Sequence, residues 1–271
     1  MTNRIDEKFK RLKTENLGGF VPFIVAGDPN LETTKDLILE LAAKGASVIE
    51  LGVPFSDPVA DGVTIQASAE RALRNPVNVK GILEIVAKVR AEKCETPIIL
   101  FSYFNPILQF GLENFAEKAV EAGVDGVLIT DLVPEEAEEF RSILANKDLA
   151  LIMLAAPTSS DERLRKICEK ASGFVYAVSR AGVTGARNEM SGDAQNLVER
   201  LRKFTDLPVA VGFGISTAAQ VAETWKYADA AVVGSAIVGE MMRLAPDAGE
   251  VSSDFVDNVG RFAENLLPLR S

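Results

Sequence analysis

Eight short apolar, β-branched runs recur along the chain at fairly even intervals, and this repetition limits the fold more than any other feature of the sequence. The runs are GFVPFIVAG (19–27), SVIELGVP (47–54), PIILFSY (97–103), GVLITDL (126–132), LALIMLAAP (149–157), FVYAVS (174–179), PVAVGFG (208–214) and AAVVGSAIV (230–238). Most are near-continuously apolar rather than alternating, which is the pattern of parallel strands covered on both faces. Amphipathic stretches lie between them, at 30–46, 79–93, 112–123, 134–147 and 159–171. In the first of these Leu37, Ile38, Leu41 and Ala42 share a helical face, and Gly45 supplies a stop. Several stretches open with Asn, Ser, Asp or Pro, residues suited to helix starts. Eight strands alternating with helices in about 250 residues predict a (β/α)8 TIM barrel. Residues 4–14 add an N-terminal helix under the barrel, residues 251–267 form the last helix, and short extra helices belong in the βα loops. The first strand is followed by AGDPN rather than GxGxxG, which disfavours a doubly wound dinucleotide fold. No linker or composition break interrupts the chain, so residues 1–271 read as a single barrel domain.

Composition narrows the chemistry. The formal net charge is −10 and no dense basic run occurs, so neither nucleic acid nor an anionic membrane is an expected partner. The chain has no histidine, and its two cysteines, Cys94 and Cys168, form no CxxC pair. Zinc sites built on imidazole, and Ser-His-Asp or Cys-His catalysis, are excluded, and no metal site is expected. Acid–base work near neutral pH falls to Asp, Glu, Tyr, Lys or Cys. Free thiols, a charged N-terminus without an apolar signal core, and no apolar run of about 18 residues together predict a cytoplasmic protein.

In such a barrel the active site lies at the C-terminal ends of the strands. VIELGVPFSDPVADG (48–62) places Glu50, Asp57 and Asp61 there with no Lys or Arg among them. Glu50 faces the barrel interior or sits at its rim. Burial would raise its pKa toward neutrality, whether it serves as a proton carrier or as an acid bonded to a loop backbone. Asp61 precedes Gly62 and Asp57 precedes Pro58, both turn patterns; over one barrel mouth, Asp61 also supplies a second carboxylate. At the other end of the chain, VSRAGVTGA (178–186), VGFGIS (211–216) and VVGSAIV (232–238) follow strands six, seven and eight. Their glycines let backbone N–H groups approach an anion, and a helix starting at Ser235 would aim its positive end at the same point, the usual phosphate site of this fold. No lysine stands at any of the eight strand ends, which speaks against Schiff-base chemistry.

The stretches GGFVPFIVAGDP, IELGVPFSDPVADGVTIQ, VLITDLVPEE, SRAGVTGA, GFGIS and GSAIV, in that order between about residues 19 and 240, resemble the tryptophan synthase alpha subunit family. The resemblance implies retro-aldol cleavage of indole-3-glycerol phosphate to indole and glyceraldehyde 3-phosphate. It implies a beta subunit that carries pyridoxal phosphate in an alpha2beta2 assembly, and no cofactor in this chain. By the same resemblance Glu50 is the general acid and base at indole C3 and the glycerol hydroxyl, and Asp61 holds or deprotonates the indole N–H. Tyr176, Phe23, Phe101 and Phe213 line the indole site. Gly185, Gly214, Gly234 and Ser235 cradle the phosphate, and Thr184 lies on a mobile loop that closes over substrate. Asp57 and the segment Tyr103, Phe104, Asn105 and Pro106 resemble the surface that meets the beta subunit. Two other readings stay open: an isomerase or synthase acting on phosphoribosyl-anthranilate-like substrates, and a catalytically weak barrel that binds and activates a partner. The segment from Leu244 to the end matches no family motif.

Overall fold

The computed structural model describes residues 3–179, 192–212, 214–245 and 251–268. Helix α1 (Arg4–Thr14) precedes strand β1 (Gly19–Val25) and helix α2 (Leu31–Ala43). Then come β2 (Ile49–Gly52), α3 (Val63–Leu73), α4 (Val79–Ala91), β3 (Ile98–Ser102), α5 (Phe104–Phe110) and α6 (Leu112–Ala122). The chain continues through β4 (Gly126–Ile129), α7 (Glu138–Ala145), β5 (Ala150–Ala155), α8 (Asp161–Lys170), β6 (Val175–Val178) and α9 (Gly192–Leu201). It ends with β7 (Val209–Gly212), α10 (Ala218–Thr224), β8 (Ala230–Val233), α11 (Ser235–Leu244) and α12 (Phe255–Asn265). The strands form a closed barrel in sequence order, every neighbouring pair parallel, with β8 returning to β1. This is the barrel that the spacing of apolar runs predicts, with the N-terminal helix and extra loop helices in place.

Strand periodicity sorts the side chains into two apolar layers. Val21, Phe23, Val25, Ile99, Phe101 and Tyr176 pack with one another inside the barrel. Their neighbours in sequence, including Phe20, Ile24, Ile98, Leu100 and Val175, pack outward under the helices. In β2 the inward parity belongs to Val48, Glu50 and Gly52, while Ile49 and Leu51 face the helices. The choice between interior and rim for Glu50 is thereby resolved in favour of the interior. Two helices start four residues later than expected: residues 134–136 make a turn closed by Glu136 N–H to the Val133 carbonyl and α7 starts only at Glu138, and α12 starts at Phe255 rather than at residue 251.

α1 closes the lower end. Ile5 and Phe9 are buried, and the Phe9 ring packs 5.6 Å from that of Phe174. The Asn3 side chain accepts from Ile5 N–H as the helix cap and donates to the carbonyls of Asp125 and Asp148. Buried Asp125 pairs with Arg90 at 2.7 Å and Arg4 at 3.0 Å and accepts from Ile98 N–H. Arg90 in turn donates to the carbonyls of Gly123, Cys94 and Thr96, groups that the ends of α4 and α6 leave near the barrel floor.

Candidate active site

β2 carries Glu50 into the barrel beside Phe23 of β1 and Ile99 of β3, its register partners. It is 1% exposed, and its Oε1 has no hydrogen-bond partner among the described residues. Burial without a counter-charge pushes its pKa up to about 8. The chain leaves β2 through a loop and returns at Gly62 into α3. Asp61 ends that loop, 9% exposed, and burial pushes its pKa up to about 6. The Tyr103 hydroxyl donates to Asp61 Oδ2 at 3.2 Å and accepts from Ala60 N–H at 2.9 Å. The Phe55 ring rests on that of Tyr103, 5.1 Å between centroids, and the Gln66 amide donates to the Asp61 carbonyl at 2.8 Å.

Tyr176 lies within electrostatic reach of both acids. It is buried at the upper end of the interior layer, and its hydroxyl is held well above the usual phenol range, first by burial and then by the charges of Glu50 and Asp61. A side chain on Gly212 would put its Cβ 2.0 Å from the Tyr176 hydroxyl oxygen, so the tyrosine occupies space that only a glycine leaves. Gly52 does the same for Phe23, whose ring would lie 2.7 Å from an added Cβ. Phe23 and Phe101 meet edge to face at 5.2 Å. Two carboxyl groups, a phenol and two phenylalanine rings thus share the barrel mouth. At neutral pH Glu50 is mainly a proton donor and Asp61 mainly an acceptor, since their environments set them about 2 pKa units apart.

Gly234 caps α11 with no side-chain hydrogen bond, packs against Phe23, and leaves the first amides of the helix without a side-chain acceptor. Ser235 is exposed, and Gly214 is exposed with φ +85°, in the left-handed region. Thr184, Gly185 and Phe213 lie outside the described residues. The expected partner surface divides. Asp57 and Asn105 are exposed, and Phe104 and Pro106 are half-buried. Tyr103 is 3% exposed and turned onto Asp61. Its direction was legible from strand period, because Phe101 faces inward and Tyr103 is two residues on.

Sequence reasoning names Asp28 as a candidate at the end of the first strand but misses its partners in a buried cluster behind α3, Ser68 and Arg71. Asp28 is fully buried; Ser68 donates to its Oδ2, and Arg71 Nη2 lies 2.9 Å from its Oδ1. No signal marks it in the sequence, apart from the acid that directly follows the first apolar run. Among the described residues no group of three or more acids or thiols is placed to hold a metal ion.

A sequence profile of the tryptophan synthase alpha chain family matches residues 9–266. The chain belongs to the tryptophan synthase alpha chain family. A Caulobacter sp. (strain K31) tryptophan synthase alpha chain is 52% identical over 239 residues, 88% of this chain and 87% of its own length. The crystal structure of the tryptophan synthase alpha subunit from Legionella pneumophila str. Paris superposes with a TM-score of 0.89 at 36% identity, covering 98% of this chain and 97% of that one. A chain of the tryptophan synthase complex from Pyrococcus furiosus is 38% identical, with a TM-score of 0.82 over 92% of this chain and 97% of its own. The reaction of tryptophan synthase alpha chains is cleavage of indole-3-glycerol phosphate, a carbon–carbon lyase step in tryptophan biosynthesis, and it is the activity of this chain.

Proposed function

We propose that Glu50 and Asp61 divide this cleavage between them. The products are indole and glyceraldehyde 3-phosphate, so indole C3 must gain a proton while the adjoining glycerol hydroxyl loses one. Glu50, held protonated at neutral pH, delivers the proton to C3 and then takes up the hydroxyl proton as the carbon–carbon bond breaks. C3 protonation leaves positive charge on the ring nitrogen. Ionised Asp61 accepts from that N–H, and Tyr103 keeps the carboxylate aimed. Phe23, Phe101 and Tyr176 fit the flat faces of an indole, with Phe213 assigned the same role. Gly214, Gly234 and Ser235, with Gly185, would hold the phosphate by backbone N–H groups and the positive end of α11, and Thr184 would sit on the closing loop. The acid–base steps run on side chains of this chain and call on no cofactor here.

The observation that carries the reading is Glu50, 1% exposed in the barrel interior with an Oε1 that has no hydrogen-bond partner among the described residues, on the strand whose following loop ends in buried Asp61. The test is indole release from indole-3-glycerol phosphate. Glu50→Gln and Asp61→Asn should each fold and lose about 10²–10⁴-fold in turnover. A parent-like rate in either would remove that residue from the mechanism.

The reading takes residues 1–271 as one barrel domain and extends to assembly. A beta subunit bearing pyridoxal phosphate would cover the rim in an alpha2beta2 complex and consume the indole. Val59 and Val63, 81% and 80% exposed beside Asp57, are apolar surface suited to being covered, as are Phe104 and Pro106 next to Asn105. A relative solved as a tryptophan synthase complex supports this. A cytoplasmic setting goes with it, supported by two cysteines that are free.

A further inference from the structure

The loop that carries Asp61 is tethered above by Tyr103, but its height over the barrel depends on α3, which it enters at Gly62. The inner face of α3 buries only small apolar side chains in the interior layer, Ala69 and Ala72, with Ile65 half-buried against it. Its polar contacts are concentrated instead on a single turn of three residues after β1. Ser68 donates to Asp28 Oδ2 at 2.5 Å, and Arg71 Nη2 lies 2.9 Å from Asp28 Oδ1. Just past the helix end, the Asn75 amide donates to the carbonyls of Gly27 at 3.2 Å and Pro29 at 2.7 Å. A Cβ on Gly27 would lie 2.3 Å from a Val77 methyl, so the segment after α3 lies directly on this turn. The turn is itself fixed to α2, because Gly27 N–H donates to Thr34 Oγ1 at 2.9 Å.

We infer that Asp28, Ser68, Arg71 and Asn75 form a buried clamp that sets the position of Asp61, and that they are positioning residues for the cleavage. The line of force runs from Asp28 through Ser68 and Arg71 to α3, and from Gln66 of α3 to the Asp61 carbonyl at 2.8 Å. A buried ion pair is a poor way to gain stability, since desolvation of both groups offsets their attraction, but it fixes geometry. Among the described residues neither Arg71 Nε nor Nη2 makes a hydrogen bond, so Arg71 meets Asp28 as a close contact of opposite charges. A side chain displaced by about 1 Å from a reacting group can cost on the order of 10²-fold in rate, so a modest shift of α3 is enough to matter.

The inference rests on the proposed role of Asp61, and the experiment separates the two. Ser68→Ala removes one bond of the clamp, and the double change Asp28→Asn with Arg71→Met removes both charges together. Asp61→Asn is measured beside them, all by steady-state indole release from indole-3-glycerol phosphate, with folding checked by circular dichroism. The clamp predicts a fall in kcat of about 10-fold or more in the folded clamp variants, with KM within roughly threefold of the parent. If the double variant does not fold, Ser68→Ala carries the test. Loss of turnover in Asp61→Asn with a parent-like kcat in Ser68→Ala overturns the clamp alone. A rise in KM without a fall in kcat also overturns it, since that would mean the cluster supports substrate grip instead. A parent-like rate in Asp61→Asn overturns the assignment of Asp61 and the clamp's target with it.

Discussion

Glu50 is buried and has no cation paired with it among the described residues, which makes it chemically useful and structurally costly. Its folded pKa of about 8 lies above the ordinary value of 4.5. Below pH 4.5 the group is protonated in folded and unfolded chains alike, and burial costs little. As pH rises from 4.5 to 8 the unfolded chain releases this proton while the folded chain keeps it, so native stability falls across that window. At pH 7 the difference is on the order of 3 kcal/mol. Glu50→Gln should therefore raise the urea midpoint at pH 7 while abolishing turnover, and the gain should shrink toward pH 4.5. A pH-independent gap would mean that the carboxyl group is not held protonated. For the parent, kcat/KM should rise through about pH 6 as Asp61 ionises and fall through about pH 8 as Glu50 does. Much of this was legible in the sequence, because an acid at the end of an apolar β run has few places to go. Tyr103 was harder: YFNP reads as one surface segment until strand parity is carried one residue past the end of β3.

At the scale of elements, the two ends of the barrel divide the work. The upper ends of β2, β3 and β6 deliver Glu50, Tyr103 and Tyr176, while the floor is tied by Asp125 to Arg4 and Arg90. Asp125→Ala should destabilise the fold by about 3 kcal/mol, because it strands the half-buried Arg90, yet leave kcat unchanged at a temperature where the variant is folded. A loss of turnover without loss of stability would contradict that division. All eight strands were visible in the sequence as apolar runs. The helices α3, α5, α9 and α10 were not. α3 buries small residues, Ser68, Ala69 and Ala72, which give a weak apolar period, and α5 and α10 span only seven residues each. The clamp on α3 was hidden for the same reason: long-range polar contacts between a turn and a helix leave no periodic trace.

The whole molecule is a barrel with an apolar, exposed fringe beside its acidic loop. If a beta chain covers that fringe, Val59→Asp should weaken the association at least about 10-fold by calorimetry. The same change should alter the stability of the isolated chain by no more than about 0.5 kcal/mol, since the side chain is 81% exposed. An unchanged affinity would move the contact elsewhere on the rim. α1 gives this arrangement its direction. Among the described residues Ile5 and Phe9 plug the base against Phe174, and the doorway left to Glu50 is the opposite end. If a beta chain stands over that doorway, it meters both entry and departure, and an oily product leaving through it reaches that neighbour before it reaches bulk water.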